Sequence, residues 1–501
     1  MSIQLNRTFR RGIPGLISWV LALSACQAAP VNPALSGMLV PSTPAAAADQ
    51  PTPPPASARP AYSPGELVEY VAQTGDTLQA LAAHFNTTVD EILAANPIIP
   101  SNATTMPPGM PMQIPIYFQP FWGTPYQIIP DSLFVNGPAQ TDFNTQEFIS
   151  AYPGWLKGHQ EFAAGANRSG AGVVDFIAEK YSLSPRLLLA LLEHEAGALS
   201  QSAPSQDTLL YPLGRRVATQ RGLFLQLSWA ANLLNDSYYR RRTGDLEKFD
   251  LLDGRIERPD PWQNAATVAL QHFFSARENP EEYAIKIGPE GFAQTYRSLF
   301  GDPWTGGEPH IPGSLEQPIL ALPFETGTTW AYTGGPHTAW GSAEPLAALD
   351  FAPPAVMSGC TESQEWATAV ADGVIARSEP ATVVLDLDGD GDERTGWVIF
   401  YFHLASQEQI AEGVVVQKGA KLGHPSCEGG QATGTHIHIA RKYNGEWIPA
   451  GGIIPFNLSG WVAGAGDSPY QGRLERFGRA VQACVCSNQS SHIRAEEEAQ
   501  E

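Results

Sequence analysis

Strict alternation of polar and apolar residues marks Gly434-Thr435-His436-Ile437-His438-Ile439-Ala440 as a half-buried strand. Successive strand side chains point to opposite faces, so His436 and His438 share one face while Ile437 and Ile439 enter a core. Val398-Ile399-Phe400-Tyr401-Phe402-His403-Leu404 is a second, more continuous apolar run, and its histidine can line the same cleft. Much earlier in the chain, Leu78, Leu81, Ala82 and Phe85 fall at helical spacing, and Thr88-x-x-Glu91 is a capping box that opens another short helix. From about 118 to 304 the pattern is mostly helical. There Ser184-Pro185 supplies an N-cap and a proline at the first helical position, ahead of the run Arg186 to Glu195. Leu188, Leu192 and Glu195 lie at i, i+4 and i+7, which sets a carboxylate on an apolar face. Such a glutamate is expected to have a raised pKa and to be able to serve as general acid in glycan cleavage.

The N-terminal region changes the picture. Arg7, Arg10 and Arg11 precede an apolar run from Ile13 to Leu23, the layout of a secretory signal peptide, which closes on Leu23-Ser24-Ala25-Cys26. Residues 27–65 are Pro, Ala, Ser and Thr for the most part and predict an extended, semi-rigid spacer. No later stretch reaches the roughly 20 apolar residues that span a bilayer. With 30 basic and 51 acidic residues the net charge is −21, which argues against nucleic acid and against electrostatic binding to anionic lipid. A length of 501 residues predicts about three domains. Besides Cys26 there are Cys360, Cys427, Cys484 and Cys486, an even set that in an exported chain suggests disulfides. A Cys360–Cys427 bridge is the first choice, and Cys484-Val485-Cys486 has metal binding as its alternative.

A carboxylate and two imidazoles suit Zn²⁺ at roughly 2.0–2.2 Å, and three protein ligands with an open fourth position mark a catalytic site. Candidates are His337, within Gly334-Gly335-Pro336-His337-Thr338-Ala339-Trp340-Gly341, Asp350, within Ala348-Leu349-Asp350-Phe351, and His403, His436 and His438. His84, His159, His194, His272 and His492 lack such a context and read as ordinary satisfied histidines. No His-Glu-x-x-His occurs, so the glutamate-base mechanism of thermolysin-like enzymes is not available. Asp386, Asp388 and Asp390 look like the start of a calcium loop, with Ca²⁺ as a stiffener. However, Trp397 stands where the twelfth position needs a bidentate Glu, and a hairpin turn joining Val383-Val384-Leu385 to Trp397-Val398-Ile399 is preferred.

At these residues a family resemblance enters. The segment from about 320 to 460 resembles the lysostaphin/LytM-type zinc endopeptidases, which cut the peptide part of bacterial peptidoglycan. The usual His-x-x-x-Asp fails, because Leu346 stands four residues before Asp350. The staphylolysin and β-lytic subgroup places its first histidine thirteen residues before the Asp, as His337 is here, which favours His337 over His310. The resemblance implies that His337, Asp350 and His438 hold one zinc and that His403 and His436 are catalytic. His436 is then the candidate general base and His403 the donor to the developing oxyanion, two roles that can be exchanged.

Residues Tyr70-Val71, Gly75-Asp76-Thr77-Leu78, Asn96-Pro97 and Pro108-Gly109 resemble LysM, a βααβ glycan-binding module. In that family N-acetylglucosamine lies between two loops, which implies Gly75, Asp76, Thr77 and Leu78 on one side and Asn96, Pro97, Ile98 and Ile99 on the other. Arg186 to Glu195, with Gly222-Leu223-Phe224-Leu225-Gln226, faintly resembles the lytic transglycosylases, Glu195 standing in the acid position. Ala196 replaces the usual Ser and the second element has an extra residue, so a helical spacer or an inactive lysozyme-like fold is the better reading. Leu23 to Cys26 resembles a bacterial lipobox, which implies lipidation of Cys26.

The expected chain is multidomain α+β. It comprises a signal peptide with lipobox (1–26), a Pro/Ala-rich linker (27–65) and a small βααβ LysM module (66–117). A mostly α-helical, lysozyme- or transglycosylase-like domain (118–304) precedes an antiparallel β-sheet zinc endopeptidase domain (316–465), and 466–501 is an extension with an acidic tail. The expected function is hydrolysis of peptide cross-links or bridges of peptidoglycan by an exported lipoprotein whose lipid is its only hold on the membrane. Two alternatives accompany it: a non-catalytic peptidoglycan-binding activator, and additional glycan cleavage by the middle domain.

Overall fold

The structure, a computed structural model, describes residues 62–355, 359–486 and 488–496. The expected signal peptide, Cys26, the linker up to residue 61 and the tail beyond 496 lie outside the described residues. Among those described, no helix is long and apolar enough to cross a membrane.

The N-terminal module follows its sequence pattern. Strand β1 (Glu66–Val71) pairs antiparallel with β2 (Pro111–Ile116), and between them run α1 (Leu78–Phe85) and α2 (Val89–Ala95). Thr77 caps α1 by accepting the Ala80 N–H, and Thr88 and Glu91 form the reciprocal capping box of α2. Leu78, Leu81, Phe85, Ile92, Ile114 and Ile116 fill the core.

The middle region is helical. Its longer helices are α3 (Gly170–Tyr181), α4 (Pro185–Ala196), α5 (Leu223–Thr243), α6 (Ala265–Ser275) and α7 (Phe292–Phe300). Ser184 caps α4 through the Leu187 N–H, with Pro185 behind it. Every residue from Leu187 to Leu192 is fully buried, so α4 is a central helix and not one with a single apolar stripe.

The C-terminal third is built on an antiparallel sheet. Its strands are β3 (Thr329–His337), β4 (Ala348–Ala352), β5 (Gly373–Glu379), β6 (Ala381–Asp386), β7 (Trp397–Leu404), β8 (Val415–Val416), β9 (Ile437–Tyr443), β10 (Glu446–Trp447) and β11 (His492–Arg494). They lie in the order β8-β5-β6-β7-β9-β4-β3-β11, with β10 paired to β9. A separate four-stranded sheet spans 457–482. Residues beyond 465 add strands to this unit, two in the four-stranded sheet and β11 at an edge of the main sheet.

The two faces of the sheet have different partners. Leu349, Val383, Leu385, Ile399, Tyr401, Ile437 and Ile439 form one core with Trp330, Phe324 and the four-stranded sheet. Ala348, Val384, Val398, Phe400, Phe402 and Ala440 face the other way and merge with α3, α5 and α6 of the middle region in one continuous core. Ion pairs reinforce that junction: Lys180 on α3 reaches Glu379, and Arg377 reaches Glu179 at 2.9 Å.

Candidate metal centre

His438 on β9 stands directly opposite Asp350 on β4, and Gly334 on β3 pairs with Asp350 from the other side. Two bulges in β3, around Gly334 and before His337, bring the His337 imidazole beside them. Gly334 is required by close approach, because a Cβ there would lie 2.4 Å from Asp350 Oδ2. Gly335 is pressed in the same way against the Gln471 carbonyl.

Backbone carbonyls fix the orientation of both rings. His337 donates from Nδ1 to the Gly335 carbonyl at 2.8 Å, and His438 donates from Nε2 to the Ala339 carbonyl at 3.1 Å. The nitrogens left over, His337 Nε2 and His438 Nδ1, carry lone pairs and face each other at 3.0 Å. Asp350 Oδ1 lies 3.2 Å from the first and 3.4 Å from the second, is buried, and accepts no hydrogen bond. Three buried acceptors aimed at one point fit a cation, and two imidazoles with one carboxylate suit a divalent ion that tolerates nitrogen. Burial alone would raise the Asp350 carboxyl; a proton on the facing imidazoles, that of His337 first, outweighs it and holds the carboxyl well below the usual range, so the pocket favours a shared cation, proton or metal.

His403 and His436 stand next to this triad, their ring centroids 4.6 Å apart. His436 donates from Nδ1 to the Gly434 carbonyl, and its Nε2 is 3.8 Å from Asp350 Oδ1. His403 donates from Nδ1 to the Glu428 carbonyl. Both therefore keep Nε2 as a lone-pair acceptor. Burial, and next the neighbouring His436, push the His403 imidazole down to about 4. Simple alternation along β7 would aim His403 away from Phe402, into the opposite core. Instead it takes a left-handed conformation (φ 64°) and is the extra residue where Ala381 pairs with Leu404 and Thr382 with Phe402. That bulge turns its ring onto the face of His436 and His438.

Around the triad, Tyr470 stacks on His337 with centroids 4.1 Å apart, and Asn232 of α5 accepts the Ser342 N–H. Neither was singled out by the sequence pattern. Cys360 is bonded to Cys427, tying two loops that frame His403 and His436, and Cys484 is bonded to Cys486.

Comparison with known proteins decides what this arrangement belongs to. Residues 127–314 match the family model of the LasA N-terminal domain, and residues 70–115 match the LysM domain. Protease LasA of Pseudomonas aeruginosa is 25% identical over 371 residues, covering 69% of this chain and 80% of that protein. The β-lytic metalloendopeptidase of Lysobacter enzymogenes is 29% identical over 167 residues, 32% of this chain and 86% of that protein. The chain is a LysM-containing LytM-type metalloendopeptidase. Among solved structures, the M23 metalloprotease pseudoalterin is 28% identical, with 33% of this chain and 96% of that one covered at a TM-score of 0.29.

Elsewhere in this metalloendopeptidase the expected residues fare unevenly. Glu195 is buried, but its carboxylate holds Arg277 Nη2 at 2.5 Å and Lys286 Nζ at 2.6 Å. Burial raises its pKa, the two cations more than offset that, and the net shift is downward. The expectation of a raised pKa is thus corrected, and with it the case for a general acid. Gln226, in the second element, spends its amide on the backbone of Leu213, Arg215 and Gln220.

In the LysM module, Asp76 accepts the Tyr70 hydroxyl and the Gln73 N–H, Thr77 is a helix cap and Leu78 is core. Asn96 bonds Ile92 and Gln113, and Ile99 is buried; Gly75 is buried beside Arg242, while Pro97 and Ile98 are exposed. Asp386 accepts the N–H groups of Asp388, Gly389 and Gly391, which makes the acidic stretch the β6–β7 turn, with Asp388 and Asp390 exposed. His310, passed over as a ligand, is engaged with Glu446.

Proposed function

We propose that this chain is a zinc endopeptidase of the bacterial envelope that hydrolyses peptide cross-links or bridges of peptidoglycan. One observation carries the reading: three buried lone pairs converge on a point beside two histidines whose Nε2 atoms stay free to take a proton. His337, Asp350 and His438 hold the zinc. When bound, zinc polarises the scissile carbonyl and lowers the pKa of its water towards 7. His436, the less enclosed of the pair, takes the water proton at Nε2 and passes it to the departing amine. His403, its ring fixed by the Glu428 carbonyl, would steady the tetrahedral oxygen once its Nε2 has taken up a proton.

The remaining regions fit this work. Its LysM loops, with Pro97 and Ile98 exposed on the second of them, hold N-acetylglucosamine chains and keep the enzyme on an insoluble substrate. Lipidation of Cys26 and the Pro-rich spacer would hold it at the outer side of a membrane.

The test is mass spectrometry of purified peptidoglycan after digestion by the protein, with the His438→Ala variant alongside. New free amines at stem or bridge peptides, absent from the variant, are expected. Glycan ends made equally by both proteins, or no new ends on any wall type, would sink the reading.

A further inference from the structure

The segment from His310 to Leu315, which leads from the helical region into the peptidase, does not cross open solvent. It is bonded to Thr74, just before Gly75 in the loop ahead of α1, and to Thr104 and Thr105, which follow Asn96–Ile99 in the loop after α2. On the first loop, Thr74 Oγ1 accepts the Ile311 N–H at 2.9 Å and donates to the Ile311 carbonyl at 3.2 Å. On the second, Thr105 donates to the Pro312 carbonyl at 2.7 Å and accepts the Leu315 N–H at 3.0 Å. The Ser314 N–H reaches the Thr105 carbonyl at 2.8 Å, and Thr104 donates to the Leu315 carbonyl at 2.7 Å. The loops are themselves linked by the Met106 N–H and the Asp76 carbonyl.

The other side of the segment belongs to the peptidase. Ile311 and Leu315 are buried with Ile448 and Ile454, and His310 Nε2 lies 2.6 Å from Glu446 of β10. Asn444, at the turn after β9, donates to the His310 carbonyl at 2.7 Å. This is the strand that carries His438. One short segment thus occupies the LysM loops and grips the peptidase sheet at once.

We infer that His310–Leu315 is a strap that competes with glycan for the LysM loops, so that glycan binding and strap release are one equilibrium. The inference rests on the LysM reading above. A ligand that displaces the strap from Thr74, Thr104 and Thr105 loosens its hold on the β9–β10 hairpin, which couples wall contact to the peptidase. A ligand that leaves the strap in place gains no such coupling.

Gly313 gives a handle. A Cβ there would lie 2.7 Å from Pro107 Cα and 2.8 Å from Pro107 N, backbone atoms that cannot swing aside, and Gly313 does not have a left-handed φ. Gly313→Ala should push the strap off the second loop without entering either proposed site. Isothermal titration of the full chain with tetra-N-acetylchitotetraose is expected to give at least ten-fold tighter binding for Gly313→Ala than for the natural chain.

Hydrogen exchange on the natural chain provides a reading that needs no variant. Saturating tetrasaccharide should speed exchange of the Ile311, Ser314 and Leu315 amides. If the sugar binds while those amides stay protected and Gly313→Ala binds no tighter, the strap is overturned and the LysM reading stands. If neither protein binds the sugar, the LysM reading falls and takes the strap with it.

Discussion

Gly334 sets how closely Asp350 can approach the two imidazoles, since any side chain there overlaps the carboxylate. Gly334→Ala is therefore expected to lower metal affinity and peptidase turnover at least ten-fold while circular dichroism stays unchanged. Equal metal content in the two proteins would refute this. Glu195→Gln makes the opposite forecast. It leaves Arg277 and Lys286, both part-buried, with Glu278 as their remaining carboxylate, so stability should fall by roughly 1.5 kcal/mol, the lower end for a hydrogen bond to a charged group. Turnover per folded molecule should not change, and thermal denaturation run beside a peptide-cleavage assay separates the two effects. Residues differ in how much of this the sequence exposed. The convergence of His337, Asp350 and His438 was legible because alternation in one short strand fixes the face of His438, and the family resemblance pairs Asp350 with a histidine thirteen residues before it. Glu195 misled because its partners stand 82 and 91 residues away, and an apolar helix face says nothing about cations brought from afar.

At the level of elements, β7 shows where a hydrophobic pattern stops informing. Its run of apolar residues predicts a buried strand and gives no sign that His403 is an inserted residue with a left-handed backbone. A bulge costs the pattern nothing, because Phe402 and Leu404 are apolar on either side of it. The start of α2, by contrast, was readable, since its capping box is written in neighbouring positions, Thr88 and Glu91. The bridge from Cys360 to Cys427 closes a loop of 67 residues, and a loop of that length is worth roughly 4 kcal/mol by chain entropy. Replacing both cysteines with serine should lower the denaturation free energy by that order, measured by urea titration. Reducing agent should bring the natural chain close to the variant in the same experiment.

On the scale of the whole molecule, the LysM module, the helices and the peptidase meet at Glu446. It accepts from Tyr238 and Arg242 on α5, each at 2.9 Å, and pairs with His310 of the strap, while Arg242 also reaches the Thr74 carbonyl. Burial works against this carboxylate, but Arg242 and His310 outweigh it and hold its pKa down to about 2. A depressed carboxylate stabilises the fold above its unfolded value near 4.5 and loses that contribution as pH falls from there towards 2. Acid unfolding between those limits should be steep in the natural chain and flatter in Glu446→Gln; identical acid profiles would count against the junction. Such long-range meetings of buried charge were invisible in the chain pattern, which sees each partner as an isolated polar residue.

The three converging lone pairs also have a consequence for supply. Held together they call for a shared cation, a proton or a metal ion, so the ion is a ligand of the folded state and not of the unfolded chain. At a hundred-fold excess over its dissociation constant it adds about 2.7 kcal/mol of stability. A chelator should lower the melting temperature reversibly, and one equivalent of zinc should restore it. The number of intact molecules is then set by the free metal around them as much as by how many are made.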